Sequence, residues 1–244
     1  FVQEGKLKEG DVFTYQVTAF PLPDAPSAET RAGSEWTIEE VCPSPICGER
    51  PLHWFLQAAR GVGEPDAHDF PVFIPVSVLQ QAEALKTQAQ ENETGGILIG
   101  YLWRDTESPE LFAQITALVP AQHTVAQSTR LTFTAETWEA VQAAIGLRGR
   151  GEMWLAWIHS HPSRFWCHCP PEAQRQCPLG KQFFSVDDKA LHRAVFSRAY
   201  HTALVTGDRP LPEGGWEMVH ALYGWRDGRI APRSFYVLDR AICA

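Results

Sequence analysis

Apolar positions along this chain change their period several times, and each change marks an element. VFIP, ending at Pro75, is a short unbroken apolar run of the kind a buried strand makes. In VLQQAEALKTQAQ, just beyond it, Val78, Leu79, Ala82 and Leu85 fall at helical spacing, with Ser77 placed as an N-cap. GGILIGYLW and LFAQITALVPA return to strand-like runs. RLTFT leads into a second helix, ETWEAVQAAIG, with Thr134 at its start and Gly146 near its end. MWLAWIHSH is dense enough in apolar residues for a buried strand. SVDDKALHRAVFSRA reads as a third helix and YHTALVTG as a strand. MVHALYGWRDGRIAPRSFYVL reads as a hairpin turning at Asp227-Gly228. This order predicts an α/β or α+β fold, a mixed sheet flanked by helices.

The first seventy residues read differently. DVFTYQVTAF and EWTIEEV have strand character, the Pro-rich FPLPDAPSAETRAG separates them, and CPSPICGERP follows. A small β-rich appendage over residues 1–68 is expected, with GVGEPDAHDFP as the boundary to a main domain over 69–244.

With 244 residues and 44% apolar composition the chain can bury a sizeable core. Its net charge of −8 and lack of Lys/Arg runs exclude the footprint of a nucleic-acid binder. The longest apolar runs fall well short of the ~18 residues of a membrane span. The six cysteines, at 42, 47, 167, 169, 177 and 243, do not form the dense framework of a small secreted domain. Thiols in a cytoplasmic setting are therefore expected, and FVQEGKLKEGD carries no apolar leader core.

Candidate chemistry concentrates in WLAWIHSHPSRFWCHCPPEAQRQC, Trp154 to Cys177. Residues two apart on a strand project from one face, so His159 and His161 can converge on one metal ion while Ser160 faces away. Nine histidines yield about a third of one such pair by chance, so the pair alone is a weak signal. Ser185-x-x-Asp188 has two readings, a capping box at a helix start or a source of a third ligand. Glu91 and Glu93 either end a helix as solvated carboxylates or contribute to the site, and Gly95-Gly96 marks a helix stop.

Taken in order, Glu93-Thr-Gly-Gly-Ile-Leu-Ile-Gly, His159-Ser-His-Pro and Ser185-Val-Asp-Asp188 resemble the signature of the JAMM (MPN-plus, JAB domain) metalloproteases. The resemblance covers roughly residues 70–210. It implies a JAB/MPN-like, cytidine-deaminase-like fold. It also implies one zinc ion held by His159, His161 and Asp188 with water in the fourth position, Glu93 as general base, and Ser185 as hydrogen-bond donor to the developing oxyanion. Asp187 is one residue out of step and is expected to be a first-turn carboxylate. The family's enzymes act after the C-terminal glycine of ubiquitin or ubiquitin-like proteins. The implied activity is thus a zinc-dependent isopeptidase that releases such a modifier from a target protein. The alternatives are a processing peptidase for a ubiquitin-like or sulfur-carrier precursor, and a non-enzymatic MPN-type scaffold.

One departure from the family pattern is an insertion at about 163–184, placing twenty-two residues where the pattern has about seven. It carries Cys167, Cys169 and Cys177, a set that could hold a second, structural zinc. A closed site wants a fourth ligand, for which His168, Cys42 and Cys47 are candidates. Thiols that bind no metal are the other reading. Phe165, Trp166, Phe183 and Phe184 in the same segment either form a platform for a peptide tail or pack the insertion on itself. Trp154, Trp157, Ile158, Trp216 and Trp225 are expected in the core. His123, His192 and His201 have no partner at ligand spacing.

Overall fold

The computed structural model describes residues 47–121, 133–180 and 182–239. The chain divides after Pro43, and all the described residues belong to the unit Ser44–Ala244. The strands expected in DVFTYQVTAF and EWTIEEV, together with Cys42, His123 and most of RLTFT, lie outside the described residues.

The elements run in the order β1 (Gly48–Arg50), α1 (Leu52–Gln57), β2 (Ala59–Val62), β3 (Val72–Pro75), α2 (Val76–Ala89), β4 (Gly95–Asp105), β5 (Leu111–Pro120) and α3 (Ala135–Arg148). Then come β6 (Met153–His161), α4 (Ser163–Trp166), α5 (Val186–Val195), β7 (Thr202–Pro210), β8 (Trp216–Arg226), β9 (Arg229–Arg233) and β10 (Phe235–Leu238). Nine strands form one mixed sheet in the spatial order β2-β10-β3-β5-β4-β6-β7-β8-β9, and β1 pairs with β4. With helices on both faces the fold is α+β, as the sequence pattern predicts. No helix among the described residues is long and apolar enough to cross a membrane.

Side-chain alternation along the central strands builds a core on each face. Leu98, Ile158 and Leu204 turn to the face covered by Val78, Leu79 and Ala82 of α2. Ile97, Ile99, Trp157, Ala203 and Val205 turn to the other, where they meet Val141 of α3, Phe184 and Phe196. The β4–β6 register shifts between Leu98 and Ile99, so Leu98 pairs with Ala156 and Ile99 with Trp154. Leu155 is the extra residue of this bulge, which re-phases β6 so that Trp154 and Trp157, three apart, both turn to the second face; beyond it the period of two keeps Trp157, His159 and His161 together.

Several sequence expectations shift in detail. The α2 helix begins at Val76 with Pro75 at its cap, so Ser77 lies inside it and caps nothing. Thr134 does stand at the N-cap of α3, but Gly146 is interior and the helix ends on Gly149 in the left-handed conformation. Residues 48–62, grouped with the appendage by the sequence pattern, join the main sheet: β1 lies on β4 and β2 on β10. These strands are three and four residues long and rich in Gly and Arg, too short for a period of two to register. The hairpin β8–β9 turns at Asp227-Gly228 as expected. The chain then leaves it, and β10 crosses to the far side of the sheet to lie between β2 and β3.

Candidate metal centre

Two features of topology bring the distant motifs together. The strands β4 and β6 are antiparallel with Gly95 opposite His159, so the loop that enters β4 lies beside the end of β6, and Glu93 sits on that loop. The strands β6 and β7 are parallel, so the chain leaving His161 must cross over before it can pair again. Helix α5 lies in that crossover, and its N-terminus lies beside the same strand end.

There His159 and His161 are buried, with their Nε2 atoms 3.0 Å apart. Asp188 places Oδ1 3.2 Å from His159 Nε2 and Oδ2 3.7 Å from His161 Nε2. Ligand atoms of all three residues lie within 4.8 Å of one another. Two imidazole nitrogens at this separation cannot both keep lone pairs pointed at each other without cost. A shared cation removes that conflict, and an N, N, O set of three protein ligands suits a zinc site whose fourth position is taken by water. Glu93 stands just outside the group, Oε1 3.9 Å from His161 Nε2, and is only 6% exposed.

The Ser185-x-x-Asp188 segment forms a capping box, and it also brings the Asp188 carboxylate up to the two histidines. Ser185 Oγ accepts from Asp188 N at 3.0 Å, and Ser185 N donates to Asp188 Oδ2 at 2.7 Å. This capping box fixes the Asp188 carboxylate on its helix, leaving Oδ1 to face His159. With its oxygen accepting, the Ser185 hydroxyl can still donate. Asp187 is exposed, in keeping with a first-turn carboxylate.

Ser160, which faces away, holds the Glu93 loop. Its Oγ accepts from Thr94 N at 3.0 Å, and its N donates to Thr94 O at 2.8 Å. Gly96 allows that loop to enter the sheet closely, since a Cβ there would lie 2.4 Å from Val119 O. The histidine rings are fixed by stacking: Trp157 lies 4.6 Å from His159 and Phe183 4.3 Å from His161, centroid to centroid. Neither Nδ1 has a hydrogen-bond partner among the described residues, unlike most ligating histidines.

Electrostatics sharpen the picture. Burial, then the neighbouring Asp188 and Asp187 charges, pushes the Glu93 carboxyl up to about 8. Burial also raises Asp188, but His159, His161 and the Ser185 N–H outweigh it and hold the group well below the usual carboxylate range. Burial lowers His161, against the pull of Asp188, so its neutral, ligating form is favoured.

Sequence reasoning missed two residues nearby. Lys86 and Asp208, with side chains 1% and 2% exposed, form an ion pair at 2.5 Å, and Asp208 Oδ2 also accepts from Arg164 N at 3.2 Å. Lys86 had the appearance of an ordinary polar helix residue, and no local pattern pairs it with a strand 122 residues away.

The insertion contains α4 and two short 3-10 turns, Pro171–Gln176 and Pro178–Gly180. In it Cys167, Cys169 and Cys177 bring their sulfurs within 4.8 Å of one another. Hydrogen bonding to Cys177 and then Cys167 pushes the Cys169 thiol up to about 11. His168 and Cys47 do not join the three, and Cys47 packs instead against the α2-side core. The aromatic residues divide: Phe184 is buried against Tyr223, Phe183 covers His161, and Trp166 Nε1 donates to Glu91 O at 3.3 Å. Only Phe165 is exposed, so most of this set packs inward. Trp157 and Ile158 are buried as expected, whereas Trp154, Trp216 and Trp225, also expected in the core, are only partly buried; His192 and His201 are buried too.

No family model matches the chain, and no curated protein matches it. Among solved structures it is similar to the solution structure of protein DSY2949 from Desulfitobacterium hafniense, a structural-genomics target. The identity is 19% and the TM-score 0.45, covering 69% of this chain and 94% of that one.

Proposed function

We propose that this chain is a zinc-dependent isopeptidase of the JAMM type, with a JAB/MPN-like domain, that cleaves after the C-terminal glycine of a ubiquitin-like modifier attached to a protein. The observation that carries the reading is the meeting of His159, His161 and Asp188 with Glu93 3.9 Å from His161. Three motifs spread between Glu93 and Asp188 supply those side chains, and the resemblance that links them in sequence asks for this same grouping.

Zinc in the His159/His161/Asp188 set supplies a Lewis acid that acidifies water and polarises a carbonyl. Glu93, drawn back towards its charged form by the positive charge that the neighbouring ligand set would hold, takes the proton from the attacking water and later delivers it to the departing amine, which requires a carboxylate beside the ligands but not among them. Its burial and its seat on a loop tied to Ser160 hold it in place for both transfers. Ser185 directs its remaining O–H toward the carbonyl oxygen as charge develops there. Asp188 is kept from rotating by the cap, and the rings by Trp157 and Phe183, so little reorganisation accompanies the reaction.

The test is cleavage of a panel of ubiquitin-like conjugates and linear fusions by the full chain, with and without a zinc chelator, beside Glu93→Gln. Expected are loss of turnover on chelation, return on adding zinc, and a fall of about 10²–10⁴ for Glu93→Gln at unchanged zinc content. Turnover of any substrate that survives both chelation and Glu93→Gln would refute the mechanism. Cleavage of linear fusions alone would assign the chain to precursor processing instead.

A further inference from the structure

We infer that Cys167, Cys169 and Cys177 form a second metal site, separate from the first, which takes zinc or another thiophilic divalent ion and holds the insertion against the histidine centre. The inference stands whether or not the chain is a peptidase.

Geometry supports it first. Thiolates at ~2.3 Å from a tetrahedral zinc lie about 3.8 Å from each other, and the three sulfurs here already fall within 4.8 Å. None of the three is disulfide-bonded. Among the described residues no fourth His, Cys, Asp or Glu joins them.

The second argument is energetic. Between Ser163 and Leu179 the buried residues are Ser163 and Cys177 alone, so this stretch has almost no apolar core of its own. Ordering its backbone costs about 1–2 kcal/mol per residue, which burial on this scale does not offset. Segments with that deficit are commonly held by disulfides or a metal. Here the cysteines are placed to do it: Cys167 and Cys169 follow α4, and Cys177 separates the two 3-10 turns, so one ion ties the beginning of the loop to its end.

The consequence falls on His161. Trp166 directly precedes Cys167, its ring 6.0 Å from that of His161, and Phe183 leaves the insertion to stack on the same imidazole. Trp166 also holds Glu91, two residues before Glu93, through its indole N–H. The cysteine site thus anchors Trp166, through the adjacent Cys167, where that ring faces His161 and its indole N–H holds Glu91.

The experiment measures metal in the full chain, in a His159→Ala/His161→Ala variant and in a Cys167→Ser/Cys169→Ser variant, each reconstituted with zinc and, separately, with Co(II). About two equivalents are expected in the parent and about one in the histidine variant, whose Co(II) form shows the near-ultraviolet sulfur-to-metal charge-transfer absorption of thiolate ligation. The cysteine variant should lack that absorption and be cut faster between residues 163 and 180 in limited proteolysis. A histidine variant that binds no metal, or whose Co(II) spectrum lacks sulfur charge transfer, would overturn the inference. That readout does not depend on whether the cysteine variant folds, nor on any peptidase activity.

Discussion

Replacing Asp208 by Ala isolates a burial that no local sequence feature announces. The change leaves the Lys86 ammonium 1% exposed with no carboxylate, after a pair separated by 2.5 Å is broken. Removing one partner of such a pair costs about 3–5 kcal/mol, because the remaining charge stays out of water. The loss of the Arg164 N hydrogen bond adds up to about 1 kcal/mol. Against a typical stability of about 5–15 kcal/mol, a large part of the margin disappears. Replacing both residues, Lys86→Met with Asp208→Ala, removes the stranded charge and should recover much of the loss, with a coupling of about 2–3 kcal/mol. Urea denaturation at matched zinc content, with the m-value checked for constancy, gives all the corners of the cycle. A single Asp208→Ala penalty under about 1 kcal/mol, or a double variant no better than the sum of the singles, would refute the reasoning.

Two further outcomes are expected. Ser160→Ala leaves Thr94 N without its acceptor and should cost about 1–2 kcal/mol in denaturant midpoint measurements, while kcat falls and zinc content holds, because the loosened loop carries Glu93; a variant with parental kcat would contradict the positioning role. His192 and His201, lowered chiefly by burial to about 4, are neutral in the fold. Their contribution, on the order of 2–3 kcal/mol each, is complete above the unfolded value of about 6.5 and is lost as pH falls towards 4. Glu93, raised to about 8, acts in the opposite sense between about 4.5 and 8, so the measurement belongs in a Glu93→Gln background, where NMR should find both imidazoles untitrated from pH 8 to 5.

The strands that build the centre were legible in the sequence because they are long and apolar. MWLAWIHSH declares itself a buried strand, and a period of two puts His159 and His161 on one face before any fold is known. Ser185-x-x-Asp188 likewise declares a helix start, since capping is settled within four residues. The ends of α2 and α3 were misplaced because Pro75 and Gly149 set them, whereas Ser77 and Gly146 offered the more familiar signals. The strands β1 and β2 were missed because their pairing partners, not their own patterns, make them strands, and α1 because six residues are too few for a helical period to show.

The sequence by itself determined which side chains could ligate and which face each would take, because those properties repeat over two to four residues. It did not determine that Glu93 is buried, that Ser160 ties its loop, or that Lys86 meets Asp208. Those depend on β4 lying antiparallel to β6 and β7 parallel to it, and a register between strands is set by the packing of the whole sheet.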